Sequence, residues 1–389
     1  MVNTQQLPHE IKLGRNKLSE LLSSIPFLVK LLISALLPAA LILILVTQLR
    51  NRHSHHQPGP AAPQSPLPPP PPHAIVPTPI DPNTTVQFDF SPYLRLYKNG
   101  RVERLSGTKI VSAGLDTTTG VKSKDVVINS TTGLGARLYL PKLNTTKDEK
   151  FPILVFFHGG AFAIESPFSP TYHDYLNTLV ANASVVVVSV NYRRVPEYWL
   201  PVAYNDSFEA YKWTISNSIS GPEKWLSTYG DLNRLFLAGD SAGGNIAHNI
   251  AVMDGANATG LALLNPYFWG SKPVGNETKD PELRRKMEVT WEFICNGKYS
   301  IDNPLVNPMG SPSVWKNLPC ERVLVTLSEL DTFKERGKAY VTGLNESGWK
   351  GEVEMYETKG EDHVYFLYQL KSDKAVKEMA VVASFLNSS

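Results

Sequence analysis

The chain has 389 residues, 42% of them hydrophobic, which is enough for one large α/β domain with appendages. Its 38 basic and 36 acidic residues leave a formal charge of +2, and no basic stripe interleaves with aromatics, so nucleic acid is not an expected partner. Cys295 and Cys320 have neither CxxC spacing nor metal-ligand neighbours; they are expected to be structural thiols, with a single disulfide as the other outcome.

In chain order, a short tail (residues 1–30) precedes "LLISALLPAALILILVTQL", residues 31–49, which carries no charge. At ~1.5 Å per residue this run comes close to the roughly 30 Å of a hydrocarbon core, and it predicts a transmembrane signal-anchor helix. A cleaved signal peptide competes, but "RNRHSHH" stands where a small-residue cleavage site belongs. Residues 50–86 form a proline-rich linker: 12 of the 25 residues from Pro58 to Pro82 are proline, a composition that favours extended polyproline II. Lys12, Arg15, Lys17 and Lys30 precede the span against Arg50 and Arg52 after it, a mild bias toward a cytosolic N-terminus. Nine N-x-[ST] acceptors, at Asn83, Asn129, Asn144, Asn182, Asn205, Asn257, Asn276, Asn345 and Asn387, all follow the span. Together these predict a glycoprotein whose main domain is luminal or extracellular, with a cytosol-facing domain as the alternative.

From residue 87 onward the pattern becomes short apolar runs alternating with helical ones. "FPILVFF" (151–157), "SVVVVSV" (184–190), "RLFLAG" (234–239), "GLALLNP" (260–266), "RVLVTLS" (322–328) and "EVEMYET" (352–358) predict strands. Most are apolar nearly throughout, as parallel strands covered on both faces are. Stretches such as "SPTYHDYLNTLVANA" and "AYNDSFEAYKWTI" supply crossover helices. Upstream, "YLRLYKNGRVERL" carries a hairpin turn and "KDVVINSTTGLGARLYLP" reads as two antiparallel strands. The fold class is α/β, with a mostly parallel sheet flanked by helices over residues 87–389.

"GDSAGG", residues 239–244, sits where a strand ends and a helix begins. That is the context in which G-x-S-x-G holds a nucleophile on a strained turn, and it points to Ser241. A serine needs a base. Five of the nine histidines lie ahead of residue 87. His173 and His248 fall on helical faces, His158 belongs to another motif, and His363 follows the last strand in a loop. His363 is therefore the expected base. Asp331, just past "RVLVTLS", is the expected acid in the order Ser, Asp, His, ahead of Glu329 and of Asp362, the sequence neighbour of His363. "HGGAF", His158 to Phe162, follows the strand "FPILVFF" and predicts an oxyanion loop of Gly159, Gly160 and Ala161 together with Ala242. His158 is expected to brace this loop.

"HGGAF", "SPTYH", "VSVNYRRVPE", "LPVAY", "AGDSAGGNIAH", "LVTLSELD" and "GEDHV" resemble the plant carboxylesterases of the hormone-sensitive-lipase group of α/β-hydrolases. The resemblance implies a Ser-His-Asp esterase acting on small-molecule esters without metal or cofactor, beneath a small helical cap built from N-terminal residues and inserted helices. It also implies departures: Ala161 replaces a customary third glycine, and Tyr198 and Trp199 replace customary His and Pro. The gibberellin receptors of the same group bind a hormone and lack the base histidine, which His363 supplies here. Related dehydratases and cyclases give the alternative of a lyase, and the receptors that of a non-catalytic small-ligand binding protein.

Overall fold

The computed structural model describes residues 84–143, 150–311, 315–316 and 318–387. The expected tail, membrane span and nearly all of the linker lie outside these residues, as do the acceptors Asn83 and Asn144. Among the described residues no helix is long and apolar enough to cross a membrane.

Three strands, β1 (Val86–Phe90), β2 (Leu94–Tyr97) and β3 (Val102–Arg104), form a small antiparallel sheet. The turn expected at "KNG" closes β2 onto β3, with Gly100 at φ 83°. The main sheet has eight strands: β4 (Lys122–Asn129), β5 (Leu134–Leu140), β6 (Phe151–Phe157), β7 (Val186–Asn191), β8 (Gly230–Asp240), β9 (Gly260–Leu264), β10 (Arg322–Ser328) and β11 (Glu352–Thr358). They lie in the order β11-β10-β9-β8-β6-β7-β5-β4, and β5 alone runs antiparallel to both neighbours. The helices are α1 (Pro170–Ala183), α2 (Val202–Ile219), α3 (Lys224–Tyr229), α4 (Ala242–Ala251), α5 (Pro281–Ile294), α6 (Lys334–Glu346), α7 (Tyr365–Tyr368) and α8 (Asp373–Asn387).

The near-continuous apolar character of the strands has a direct cause in their alternation. Ile153, Val155 and Phe157 of β6 join the cluster under α2, α4 and α6, while Leu154 and Phe156 join the one under α1 and α8. Each fully buried side chain of this size contributes about 1.5–3 kcal/mol, so both helical layers are held by the same strands.

Two expectations need adjustment. The N-terminal part of the cap is a sheet, because Phe88 and Phe90 alternate along β1, and Phe88 stacks on Phe293 of the inserted helix α5 at 3.9 Å. Val86, placed at the end of the linker by composition, is already in β1. Cys295 and Cys320 are both buried and free, so no disulfide joins them.

The order of strands decides where chemistry can occur. The chain runs from β6 to β7 and then crosses back, so β8 pairs with β6 on its other edge. Loops after β6 and β8 diverge around this switch point, where open α/β sheets form their binding crevice.

Candidate active site

β8 ends at Asp240 and α4 begins at Ala242, leaving Ser241 between them at φ 51°, ψ −118°. This is backbone that only close contacts sustain, at a cost of order 1–3 kcal/mol. The flanking glycines show why the turn is so tight. A Cβ at Gly239 would lie 2.5 Å from the Phe157 carbonyl oxygen, and one at Gly243 only 1.9 Å from it. Ser241 is pinned on both sides, its N–H donating to the Leu264 carbonyl and its own carbonyl accepting from the Tyr267 N–H, each at 2.9 Å.

Two more loops converge on this turn. His363 Nε2 lies 2.8 Å from Ser241 Oγ, and His363 Nδ1 lies 2.8 Å from Asp331 Oδ2. A carboxylate at Nδ1 fixes the ring proton there and leaves Nε2 free to accept the serine proton. Asp331 is nearly fully buried, and its other oxygen accepts from the Phe333 N–H at 2.9 Å. Glu329 instead pairs with Lys359 at the surface, and Asp362 accepts from the His363 backbone N–H rather than facing the ring. Phe333 meets His363 edge-on, with ring centroids 5.2 Å apart.

The loop after β6 folds over Ser241 through a run of left-handed residues: Gly160 (φ 94°), Ala161 (φ 53°) and Phe162 (φ 59°). Among the described residues nothing accepts from the N–H of Gly160 or Ala161. Ala242 is the first residue of α4, where N–H groups lack intrahelical partners. Gly159 does not serve as expected. Its N–H donates to the Tyr172 hydroxyl at 2.7 Å and to Asp240 Oδ1 at 3.0 Å, so it points beneath the loop and is not an oxyanion donor. Those two partners also hold each other, the Tyr172 hydroxyl donating to Asp240 Oδ2 at 2.9 Å. Burial drives the Asp240 carboxyl up to about 7, against the pull of Tyr172, His363 and the Gly159 N–H.

His158 braces the loop. Its Nδ1 lies 2.8 Å from the Gly159 carbonyl, and its ring stacks on Tyr192 at 4.2 Å. Burial and then Arg194 depress it to about 3, so it stays neutral and carries no proton in exchange. His248 is buried against the Tyr340 hydroxyl, and His173 contacts the Tyr139 hydroxyl; both are packing groups. Trp199 packs edge-on against Phe293, whereas Tyr198 lies under the Arg193 guanidinium, largely exposed.

Burial pulls the His363 imidazole down, but Asp331, Asp240 and Asp362 together outweigh it and leave it above its ordinary 6.5. A base works when neutral, so falling pH removes it, and a raised value moves that loss to higher pH. For an uncharged ester kcat/KM is expected to fall about tenfold per pH unit on the acid side, with the break above 6.5. Asp331→Asn should shift the break to lower pH. A wild-type break at or below 6.5 would contradict the role of the surrounding carboxylates.

A family model described as the alpha/beta hydrolase fold matches residues 154–367. Probable carboxylesterase 2 of Arabidopsis thaliana is 43% identical over 309 residues, spanning 78% of this chain and 96% of that protein. Tuliposide A-converting enzyme 1 of Tulipa gesneriana is 41% identical over 318 residues, spanning 80% and 81% respectively. Among solved structures, an esterase of the archaeon Pyrobaculum calidifontis superposes with a TM-score of 0.55 at 25% identity, covering 68% of this chain and 84% of that one.

Proposed function

The chain belongs to the plant carboxylesterases of the α/β-hydrolase superfamily and hydrolyses carboxylic esters, and on that premise we propose that Ser241, His363 and Asp331 carry the reaction. Ser241 Oγ attacks the ester carbonyl while His363 Nε2 takes its proton. The N–H groups of Gly160, Ala161 and Ala242 receive the oxyanion. Collapse expels the alcohol, which leaves with the proton from His363, and the acyl group remains on Ser241. Water, deprotonated by the same imidazole, then releases the carboxylic acid and restores the serine. Asp331 keeps the tautomer and stabilises the imidazolium. The observation that carries this reading is the unbroken Ser241–His363–Asp331 chain of two 2.8 Å contacts. Turnover of a short-chain aryl ester by the wild type and by Ser241→Ala tests it.

We further propose that the domain lies on the luminal or extracellular side of a membrane, tethered through residues 31–49. Supporting this, Asn182, Asn205, Asn257, Asn276, Asn345 and Asn387 are exposed, so six of the acceptors are open to a glycan. Protein extracted from membranes is expected to gain mobility after treatment with a glycan-removing amidase. A membrane-bound protein with no shift, whose C-terminus is cut by protease in intact cytosol-side-out vesicles, would reverse the topology.

A further inference from the structure

Asn265 ends the segment "GLALLN" ahead of Pro266, just past the C-terminal end of β9, which lies between β8 and β10 in the main sheet. A residue before proline is driven to extended backbone, yet Asn265 sits at φ 45°. Asparagine tolerates the left-handed region better than most residues, but the chain would not choose it here without contacts that hold it. Those contacts reach the loops that carry Ser241, Asp331 and His363. The Asn265 side chain is fully buried, and its Oδ1 accepts from the Val364 N–H at 3.2 Å and from the Ser328 hydroxyl at 3.3 Å. Val364 follows His363, and the Ser328 carbonyl accepts the Asp331 N–H at 3.1 Å. The backbone on either side of Asn265, at Leu264 and Tyr267, holds Ser241 by the two bonds already described.

The critical link is the one to Val364. This β-branched residue stands at φ 48°, ψ 31°, a conformation in which its side chain crowds the backbone. Its peptide sets the direction in which His363 leaves the loop. An acceptor at the Val364 N–H therefore holds in place a turn that would otherwise relax toward extended backbone and carry the imidazole off Ser241. The amide nitrogen of Asn265 has no partner among the described residues, so the side chain acts through its oxygen.

We propose that Asn265 is a positioning residue of the esterase: its Oδ1 clamps Val364 in the left-handed turn that aims His363 at Ser241. The inference rests on the reading of His363 as the base. Asn265→Gly keeps the backbone free to adopt the same φ and removes the acceptor together with the rest of the side chain. It is expected to lower kcat on a short-chain aryl ester by at least about tenfold with KM within about threefold, since small misplacements of a catalytic group cost that much. Adding Val364→Gly, which removes the penalty of the left-handed turn, should recover at least about fivefold of the lost kcat. A merely structural asparagine would not be rescued in this way. If Asn265→Gly does not fold, Asn265→Asp keeps an acceptor oxygen and tolerates the same φ; it should stay within about fivefold of wild type, and a loss of about tenfold or more overturns the proposal. A loss carried by KM, a kcat within about twofold of wild type, or no rescue by Val364→Gly overturns the proposal. Turnover retained by His363→Ala would instead show that the premise about the base had failed.

Discussion

Ser241→Ala is expected to lower kcat by a factor on the order of 10³ or more while leaving the fold unchanged. The substitution removes one oxygen whose protein contact is His363 Nε2 at 2.8 Å. The His363 side chain is 27% exposed, so water can take over that bond. Alanine fits the elbow no worse than serine, because the strain at φ 51° belongs to the backbone and the close approach is made by Gly239 and Gly243. Loss of activity with an unchanged thermal midpoint is therefore the expected pair of readings, with the ester assay and a melting curve as the checks. Near-normal turnover by the variant would remove Ser241 from the chemistry altogether.

What could be read from the sequence follows from how local its cause is. β6, β8, β9 and β10 were legible because parallel strands buried on both faces are apolar at consecutive positions, as in "FPILVFF". Ser241 was legible because two glycines and a strand-to-helix change occupy the five residues from Gly239 to Gly243. Asp331 and Glu329 both lie just past the end of β10, and what separates them is contact: Asp331 meets the ring while Glu329 faces Lys359. Long-range geometry was not legible. The inward turn of the Gly159 N–H depends on Tyr172 and Asp240, the second lying 81 residues away in the chain. Asn265 gave no signal, since its importance lies in meeting Ser328 and Val364, which sequence spacing does not bring together. β1 escaped notice because five residues following a proline-rich run are too short a window for a period to register.

His363→Ala is expected to be nearly as damaging as Ser241→Ala, and Asp331→Asn somewhat less so. The imidazole is the proton acceptor itself, whereas the carboxylate acts by holding it. Asp331→Asn leaves the ring in place but offers Nδ1 an amide, which can favour the wrong tautomer. Glu329→Gln should be nearly silent, because Glu329 is an exposed group paired with Lys359 and Gly360. Inactivity of Glu329→Gln together with a silent Asp331→Asn would reassign the acid. The central claim is that Ser241 and His363 work as one unit, and the double variant Ser241→Ala/His363→Ala measures this most directly. If they act together, kcat of the double variant equals that of either single variant within about threefold, because removing the first already forfeits the contribution of the second. Losses that multiply, so that the double variant falls by the product of the two single effects, would contradict it.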